Sequence, residues 1–354
     1  MLELDASPRL SSVMISPDTA LSEAIAILDS AGTGALVLCG EDQKLFGVLT
    51  DGDIRRAILR GVSFDRPCGT IATREPVVAS PSESPAELLR TMNDFDVNHL
   101  PVVDAEGKVV DLLLRRDLAT DEGAPLSAVI MAGGFGTRMR PLTETTPKPM
   151  LPIGGRPLLE LTIERLRKAG ISRVNITTHY LAENIKRHFG DGRAFGVSLN
   201  YVSEDQPLGT AGGLRLVKDC GEPLLVINGD ILTGINFQEM LDYHRQLGAD
   251  VTVGARRYDI QVPYGVIDCD GPRVLGLREK PQLTFMINAG IYLLEPSVYK
   301  YIPNGDRFDM TDLILRLTQV GRHVVTFPIM EYWLDIGHPA DYRQAQQDAK
   351  KAAL

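Results

Sequence analysis

Three glycines, two arginines and a lysine stand within sixteen residues in the stretch AVIMAGGFGTRMRPLTETTPKPM, which runs from Ala128 to Met150. An apolar, strand-like run from Ser127 to Ala132 feeds a turn containing Gly133, Gly134 and Gly136. At the carboxyl end of a strand in an α/β sheet, such a turn lets backbone N–H groups close on an anion. Arg138 adds a planar fork of donors suited to phosphate. Lys148, held between Pro147 and Pro149, is a poor surface charge and a good phosphate contact. The chemistry these residue types suggest is the handling of phosphate groups. A tight strand-to-helix turn would use the same glycines, so residues further along the chain must decide between the two.

The combination G-G-x-G-T-R-M-x-P-L-T, then P-K-P-M-L-P-I-G-G-R-P, resembles the nucleotidyltransferases that activate sugar 1-phosphates. Later landmarks match in order from Ser127 to Gln347: PLGTAGGL from Pro207, LLVINGD ending at Asp230, YGV at Tyr264, REKP at Arg278, NAGIY at Asn288 and WLDIG at Trp333. The resemblance implies an α/β domain with a Rossmann-like mixed sheet. In such a reaction a sugar-phosphate oxygen attacks the α-phosphorus of a nucleoside triphosphate in line and pyrophosphate leaves. Two anions must meet, so positioning and charge neutralisation dominate and no covalent protein nucleophile is required.

By resemblance, Asp230 and Asp335 hold Mg2+ at the α-phosphate, Arg138 holds the triphosphate, and Lys148 neutralises the reacting phosphates. Lys280 meets the phosphate of the incoming sugar, and Gly265, Glu279 and Asn288 stand at sugar-binding positions. Ala132, Gly133, Gly134, Gly136, Thr137, Gly209 and Thr210 fall at nucleotide-binding positions. Glu204 stands about where the family reads the base edge. A carboxylate only accepts hydrogen bonds, so it suits the N1–H and N2–H₂ of guanine better than uracil or thymine. GTP is favoured, with uridylyl or thymidylyl transfer to glucose 1-phosphate, or guanylyl transfer to mannose 1-phosphate, as alternatives. A sensor that binds without turnover is disfavoured because Lys148, Asp230, Lys280 and Asp335 are all present.

The elements needed to position these residues are legible in the spacing. PLLELTIERLRKAG and LAENIKRHF read as helices, RVNITT and LLVIN as strands, and PADYRQAQQDAKKAAL as a closing helix. Together they give the βαβ rhythm of an open α/β sheet.

The chain upstream contains an internal repeat. SPDTALSEAIAILDSAG from Ser16 and SPSESPAELLRTMNDFD from Ser80 coincide at an offset of 64 residues, which sets Lys44 on Lys108 and Asp53 on Asp117. Each copy reads as a turn, a helix, two short apolar strands and a second helix. That order, with GVLTDGDIRRAILRG closing the first copy, resembles a tandem pair of cystathionine-β-synthase (CBS) domains, an α+β regulatory module. The resemblance implies a phosphate contact at Thr50 and a ribose contact at Asp53. In the second copy Asp117 keeps the carboxylate, while Asp111 and Leu114 replace Gly47 and Thr50, leaving Arg115 and Arg116 as substitutes for the phosphate contact. The same aspartates also suit helix capping.

The expected organisation is a CBS module over residues 1–122, with repeats at about 8–66 and 71–122, a linker at 123–126 and the transferase domain over 127–354. The fusion resembles the guanylyltransferases of bacterial surface-glycan pathways of the legionaminic acid type. It implies a glucosamine 1-phosphate or related hexose 1-phosphate substrate, a nucleotide or nucleotide-sugar effector, and a homodimer or higher homo-oligomer.

Composition narrows the partners. Residues 1–122 carry 11 Lys+Arg against 21 Asp+Glu and the rest is near balance, within a net charge of -9. No broad basic face for nucleic acid is expected. No membrane span or signal peptide is read, so the expected location is cytoplasmic. The four cysteines show no metal or disulfide spacing and read as buried thiols. His99 and His179 border strand-like runs and read as packed side chains rather than ligands.

Overall fold

The computed structural model describes residues 8–118, 126–204, 206–218 and 221–351. The chain divides into two units, Met1–Glu122 and Gly123–Leu354. Residues 119–125, which include most of the expected linker, lie outside the described residues.

The first unit carries its sequence repeat into its hydrogen bonds. In the first copy the helix Leu21–Ala31 precedes the antiparallel strands Ala35–Cys39 and Leu45–Thr50, and Ile15 pairs in parallel with Leu38. In the second copy the helix Pro85–Asp94 precedes the strands His99–Val103 and Val109–Leu114, and Ala79 bridges Val102 in the same parallel sense. The two parallel pairs are related by the 64-residue offset. Lys44 and Lys108, equivalent by the same offset, form an antiparallel bridge with each other. Leu45 N–H donates to Gly107 O at 3.2 Å and Val109 N–H to Gln43 O at 3.1 Å. These two bonds exchange under the offset, so a local pseudo-twofold axis passes between the lysines.

The second unit is organised around a seven-stranded sheet. In spatial order its strands are Ser198–Ser203, Arg173–Thr178, Ser127–Met131, Leu224–Asn228, Gln282–Leu294, Val251–Gln261 and Val324–Ile329. The first four run parallel. Gln282–Leu294 is antiparallel to both of its neighbours, which makes the sheet mixed. Successive side chains of a strand point to opposite faces. Accordingly Ala128 and Ile130 join one buried cluster with Ile163, Phe237 and Phe327, while Val129 joins another with Val226, Leu214 and Leu313. Both faces are covered, which is why SAVIM reads as a continuous apolar run.

The helices Leu158–Lys168, Ala182–Phe189 and Pro339–Lys350 lie where the spacing places them. Leu158, Leu159, Thr162, Ile163 and Leu166 form the buried stripe of the first. No helix among the described residues is long and apolar enough to cross a membrane.

Two strands outrun the sheet. Val251–Gln261 and Gln282–Leu294 are buried at one end and largely exposed at the other, where they carry a two-stranded tip, Val266–Asp270 with Arg273–Arg278. Cys269 lies on that tip and is exposed, which corrects the expectation of a buried thiol. Cys39 and Cys68 are buried, and burial pushes the Cys39 thiol up to about 11. Cys220 lies outside the described residues.

Candidate active site

A cleft of about 480 Å³ opens at the carboxyl ends of the parallel strands. Its first wall is the glycine-rich turn. Ala132 N–H donates to Thr177 O at 3.0 Å, tying the turn to the neighbouring strand. Gly136 has a φ of 62°, and a Cβ there would lie 3.0 Å from Thr143 Cγ2. Thr143 Oγ1 donates to Gly136 O at 2.7 Å, so the turn is pinned from outside by the segment leading to Lys148. The short helical turn Thr137–Met139 then buries Met139 and places Arg138 on the cleft wall.

Lys148 and Asp230 meet in the cleft. Lys148 is 9% exposed, and its Nζ lies 2.6 Å from Asp230 Oδ2. Asp230 occupies the turn between Leu224–Asn228 and Ile231–Thr233, and Gly229 N–H donates to Met131 O at 2.9 Å beside the glycine-rich strand. Ile231–Thr233 pairs antiparallel with Trp333–Asp335, with Ile231 opposite Asp335, and Ile336 N–H donates to Asp230 O at 3.0 Å. Strand pairing therefore brings together two carboxylates that are distant in sequence.

Burial, and then the charge of Asp230, push the Asp335 pKa up, while Lys148 and Arg138 pull it down. Asp335 Oδ1 is buried with no hydrogen-bond partner. A buried, unsatisfied carboxylate oxygen beside a second carboxylate is a donor set that a hard divalent cation would complete, with phosphate and water supplying the other ligands. No cluster of three or more His, Cys, Asp or Glu side chains suited to a metal occurs among the described residues.

Glu204 follows the strand Ser198–Ser203 and is 9% exposed. Its Oε2 accepts from Leu208 N–H at 3.1 Å. Oε1 lies 2.8 Å from where a Cβ on Gly213 would stand, so glycine is required there for the carboxylate to keep this position. Burial pushes the Glu204 pKa up, partly offset by the Leu208 N–H and His179. His179 Nδ1 lies 2.8 Å from Glu204 O, and His99 Nε2 lies 2.9 Å from Thr33 O, so both imidazoles are held by backbone carbonyls.

The segment Gly209–Gly212 is locked by residues that local motifs do not single out. Phe308 O accepts from Ala211 and Gly212 N–H, each at 2.9 Å, and Asp309 Oδ1 accepts from Thr210 N–H at 3.0 Å. Asp309 and Arg307 also line the cleft. About a hundred residues separate Asp309 from Thr210, and only the fold joins them.

The cleft is thus lined by Ala132, Gly133, Gly134, Gly136, Thr137, Arg138, Lys148, Glu204, Gly209, Thr210 and Asp230. Asp335 stands beside it, its Oδ1 3.5 Å from where a Cβ on the lining residue Gly337 would be. Gly265, Glu279 and Lys280 are not among the lining residues, because the extended strands carry them out on the exposed arm. There Glu279 Oε2 would lie 3.2 Å from a Cβ on Gly265, and Lys280 has a φ of 44°. Asn288 is exposed but hydrogen-bonded: its Nδ2 donates to the Tyr292 hydroxyl at 2.9 Å and its Oδ1 accepts from Gly290 N–H at 3.0 Å.

In the first unit, Thr50 caps the helix Asp51–Leu59. Thr50 N–H and Oγ1 donate to Asp53 Oδ2 at 2.9 and 2.7 Å, and Arg56 Nη2 donates to Oδ1 at 2.6 Å. Both carboxylate oxygens of Asp53 are engaged locally. Asp117 pairs with Arg9. Arg115 does not stand ready for a phosphate: its Nη2 donates to Met92 O at 2.6 Å and Val97 O at 3.0 Å, closing the end of the helix Pro85–Asp94. The side chain of Arg116 lies outside the described residues.

At the strand ends of the mixed α/β sheet the fold thus gathers a glycine-rich turn, a buried lysine and two adjoining carboxylates. Residues 127–352 match the family model for nucleotidyl transferases, and residues 8–60 and 68–121 each match that for a CBS domain. The chain belongs to the nucleotidyl transferase family and carries two CBS domains ahead of the transferase fold. It is 36% identical to a mannose-1-phosphate guanylyltransferase from Mycobacterium tuberculosis, over 63% of this chain and 64% of the relative. It is 35% identical to a UTP--glucose-1-phosphate uridylyltransferase from Synechocystis sp., over 62% of each. It thus spans less than two thirds of the length of these curated relatives. The crystal structure of HddC from Yersinia pseudotuberculosis complexed with GMP-PN superposes with a TM-score of 0.50 at 27% identity, covering 63% of this chain and 98% of HddC.

Proposed function

We propose that the chain transfers a nucleoside monophosphate, GMP by preference, from its triphosphate to a sugar 1-phosphate and releases pyrophosphate. The observation that carries this reading is the convergence of Lys148, Asp230 and Asp335 at the end of the glycine-rich strand. A sugar-phosphate oxygen forms the new bond to the α-phosphorus as the bond to the bridging oxygen breaks and pyrophosphate departs. The attacking oxygen is already anionic, so no general base is needed. Arg138 and the backbone N–H groups of the turn hold the triphosphate and stabilise the departing charge. Lys148 neutralises the reacting phosphates from a site already shielded from water.

Asp230 and Asp335 would hold Mg2+, which supplies Lewis-acid stabilisation of charge at the α-phosphate. Lys280 would meet the sugar phosphate, with Gly265, Glu279 and Asn288 on the sugar itself.

The buried Glu204 carboxylate supports a guanine preference, because its acceptor oxygens match adjacent N–H donors. A guanylyltransferase among the relatives and the GMP-PN complex of HddC agree with it. The similarity to a uridylyltransferase favours uridylyl transfer as the second reading. On the sugar side, glucosamine 1-phosphate or a related hexose 1-phosphate is the proposed acceptor, in supply of a surface-glycan precursor.

A matrix of GTP, UTP, dTTP, CTP and ATP against a panel of sugar 1-phosphates, read by pyrophosphate release, tests this. Highest kcat/KM with GTP is expected. A maximum with UTP or dTTP would replace the base assignment, and no turnover with any pair would replace the enzyme by a binding protein.

A further inference from the structure

Among the described residues that line the cleft, one cation is not claimed by the phosphate chemistry. Arg138 and Lys148 are assigned to phosphates, and Lys148 is also paired with Asp230. Arg307 lines the same cleft. Its side chain is 73% exposed and turns toward the carboxylate of Asp309, with Nη2 3.5 Å from Oδ2.

The backbone fixes which end of the cleft Arg307 serves. Glu204 Oε2 accepts from Leu208 N–H. Leu208 O in turn accepts from Phe308 N–H at 2.8 Å, and Phe308 is the residue after Arg307. Asp309, one residue further, holds the backbone of Thr210. Arg307 is thus carried by the segment bonded to the loop that holds Glu204. Lys148, Asp230 and Asp335 belong to different elements: Lys148 opens the helical turn Lys148–Met150, and the two aspartates stand at the ends of other strands.

Guanine supplies the reason for an arginine there. If Glu204 accepts from N1–H and N2–H₂, the next polar atoms around the ring are O6 and N7, and both are acceptors. Acceptors withdrawn from water need donors, and a guanidinium is the side chain whose fork fits O6 and N7 together. Thr210 is already committed: its Oγ1 accepts from Met310 N–H at 2.8 Å and points to Asp309 Oδ1 at 3.4 Å.

We propose that Arg307 is a specificity-determining residue that donates to O6 and N7 of the guanine, opposite in charge and complementary in edge to Glu204. Together the two side chains make a split reader, with an acceptor for the donor side of the base and a donor for the acceptor side. This assignment rests on the guanine reading of Glu204. Uracil and thymine lack N7, so the contact also raises the preference for GTP over UTP and dTTP.

Two nucleotide analogues separate this proposal from the reading beneath it. Inosine triphosphate lacks the N2 amine and probes Glu204, while 7-deaza-GTP lacks the N7 acceptor and probes Arg307. In the unaltered protein 7-deaza-GTP, which loses N7 but keeps O6, should lower kcat/KM by roughly 2- to 10-fold, about half in free energy of what a full bidentate contact is worth. In Arg307→Met, which loses the contacts to both O6 and N7, kcat/KM for GTP should fall below that of 7-deaza-GTP in the unaltered protein, and the variant should no longer distinguish the two nucleotides. Sensitivity to the inosine substitution should persist in that variant. The exposed position lets Arg307→Met keep the fold, and an unchanged melting temperature checks it.

If the unaltered protein does not distinguish 7-deaza-GTP from GTP, or if Arg307→Met lowers GTP and UTP use equally, the proposal is overturned while the preference for GTP stands. If GTP is not the preferred triphosphate at all, the reading of Glu204 fails first, and that result comes from the unaltered protein alone.

Discussion

Asp335 shows how a single residue combines cost and use. Its carboxylate is half-buried beside Asp230, with Oδ1 shielded, and both effects raise its pKa, so the charged form destabilises the folded chain when no cation is present. Replacement by asparagine removes that charge at nearly constant shape. Asp335→Asn should therefore raise the melting temperature of the metal-free protein at neutral pH, while lowering turnover by about two orders of magnitude or more. Mg2+ should stabilise the unaltered protein against heat and leave the variant unmoved. A variant that is no more stable without metal, or that still turns over normally, would remove Asp335 from the site. Asp230→Asn should lose turnover similarly, but it also strips Lys148 of its partner and should not gain stability. At this scale the sequence is informative wherever function concentrates in a short motif, as in GGFGTR and INGD. It is silent on Arg307 and Asp309, because Asp309 acts through a contact across about a hundred residues and carries Arg307 with it. It also offers Arg115 as a phosphate contact, whereas the fold uses that guanidinium to close a helix end.

Elements are legible in proportion to their periodicity. Helices with a buried stripe and fully apolar strands lie where the spacing puts them, because burial dictates both pattern and structure. The strand reversal that makes the sheet mixed has no such signature, nor does the way Val251–Gln261 and Gln282–Leu294 outrun the core. One element-level tie is testable by acid. On the helix Phe237–Gln246, His244 is 1% exposed, with Nδ1 2.8 Å from Thr252 Oγ1 and Nε2 3.1 Å from Glu295 Oε1. Burial lowers its pKa, and Glu295 opposes that only in part. Below the ordinary histidine value of about 6.5 the unfolded chain therefore binds a proton that the folded chain resists, so stability is lost as pH falls through that range. Melting temperature should decline from pH 7 toward pH 5, and the decline should be shallower in His244→Gln. An identical slope in the variant would assign the acid sensitivity elsewhere.

For the whole molecule, the offset repeat in the first unit poses the open question, because the transferase fold carries its own anion turn, carboxylates and cleft. The pseudo-twofold pairing of Lys44 with Lys108 shows two copies of one unit, yet their candidate ligand positions have diverged. In the first copy Thr50 and Asp53 survive but satisfy each other, with Arg56 on the remaining oxygen of Asp53. In the second copy Asp117 is paired with Arg9. A ribose arriving at Asp53 must therefore compete with Arg56, and because the Asp53 carboxylate is only 8% exposed the ribose hydroxyls must replace the hydrogen bond that Arg56 gives up. If the module is an effector site, a nucleotide or nucleotide-sugar should change the transfer rate. Its coupling would typically lie in the range of about 1–3 kcal/mol, and it should be reciprocal for binding. Arg56→Ala should tighten effector binding by freeing Asp53, whereas Asp53→Ala should abolish the response while leaving the oligomeric state unchanged in sedimentation. Deleting residues 1–122 should leave a transferase that has lost the response. If no nucleotide or nucleotide-sugar shifts either the rate or the melting temperature of the full chain, Thr50 and Asp53 are a helix cap and nothing more. If the truncated chain is insoluble, the module is a scaffold for the transferase rather than its regulator.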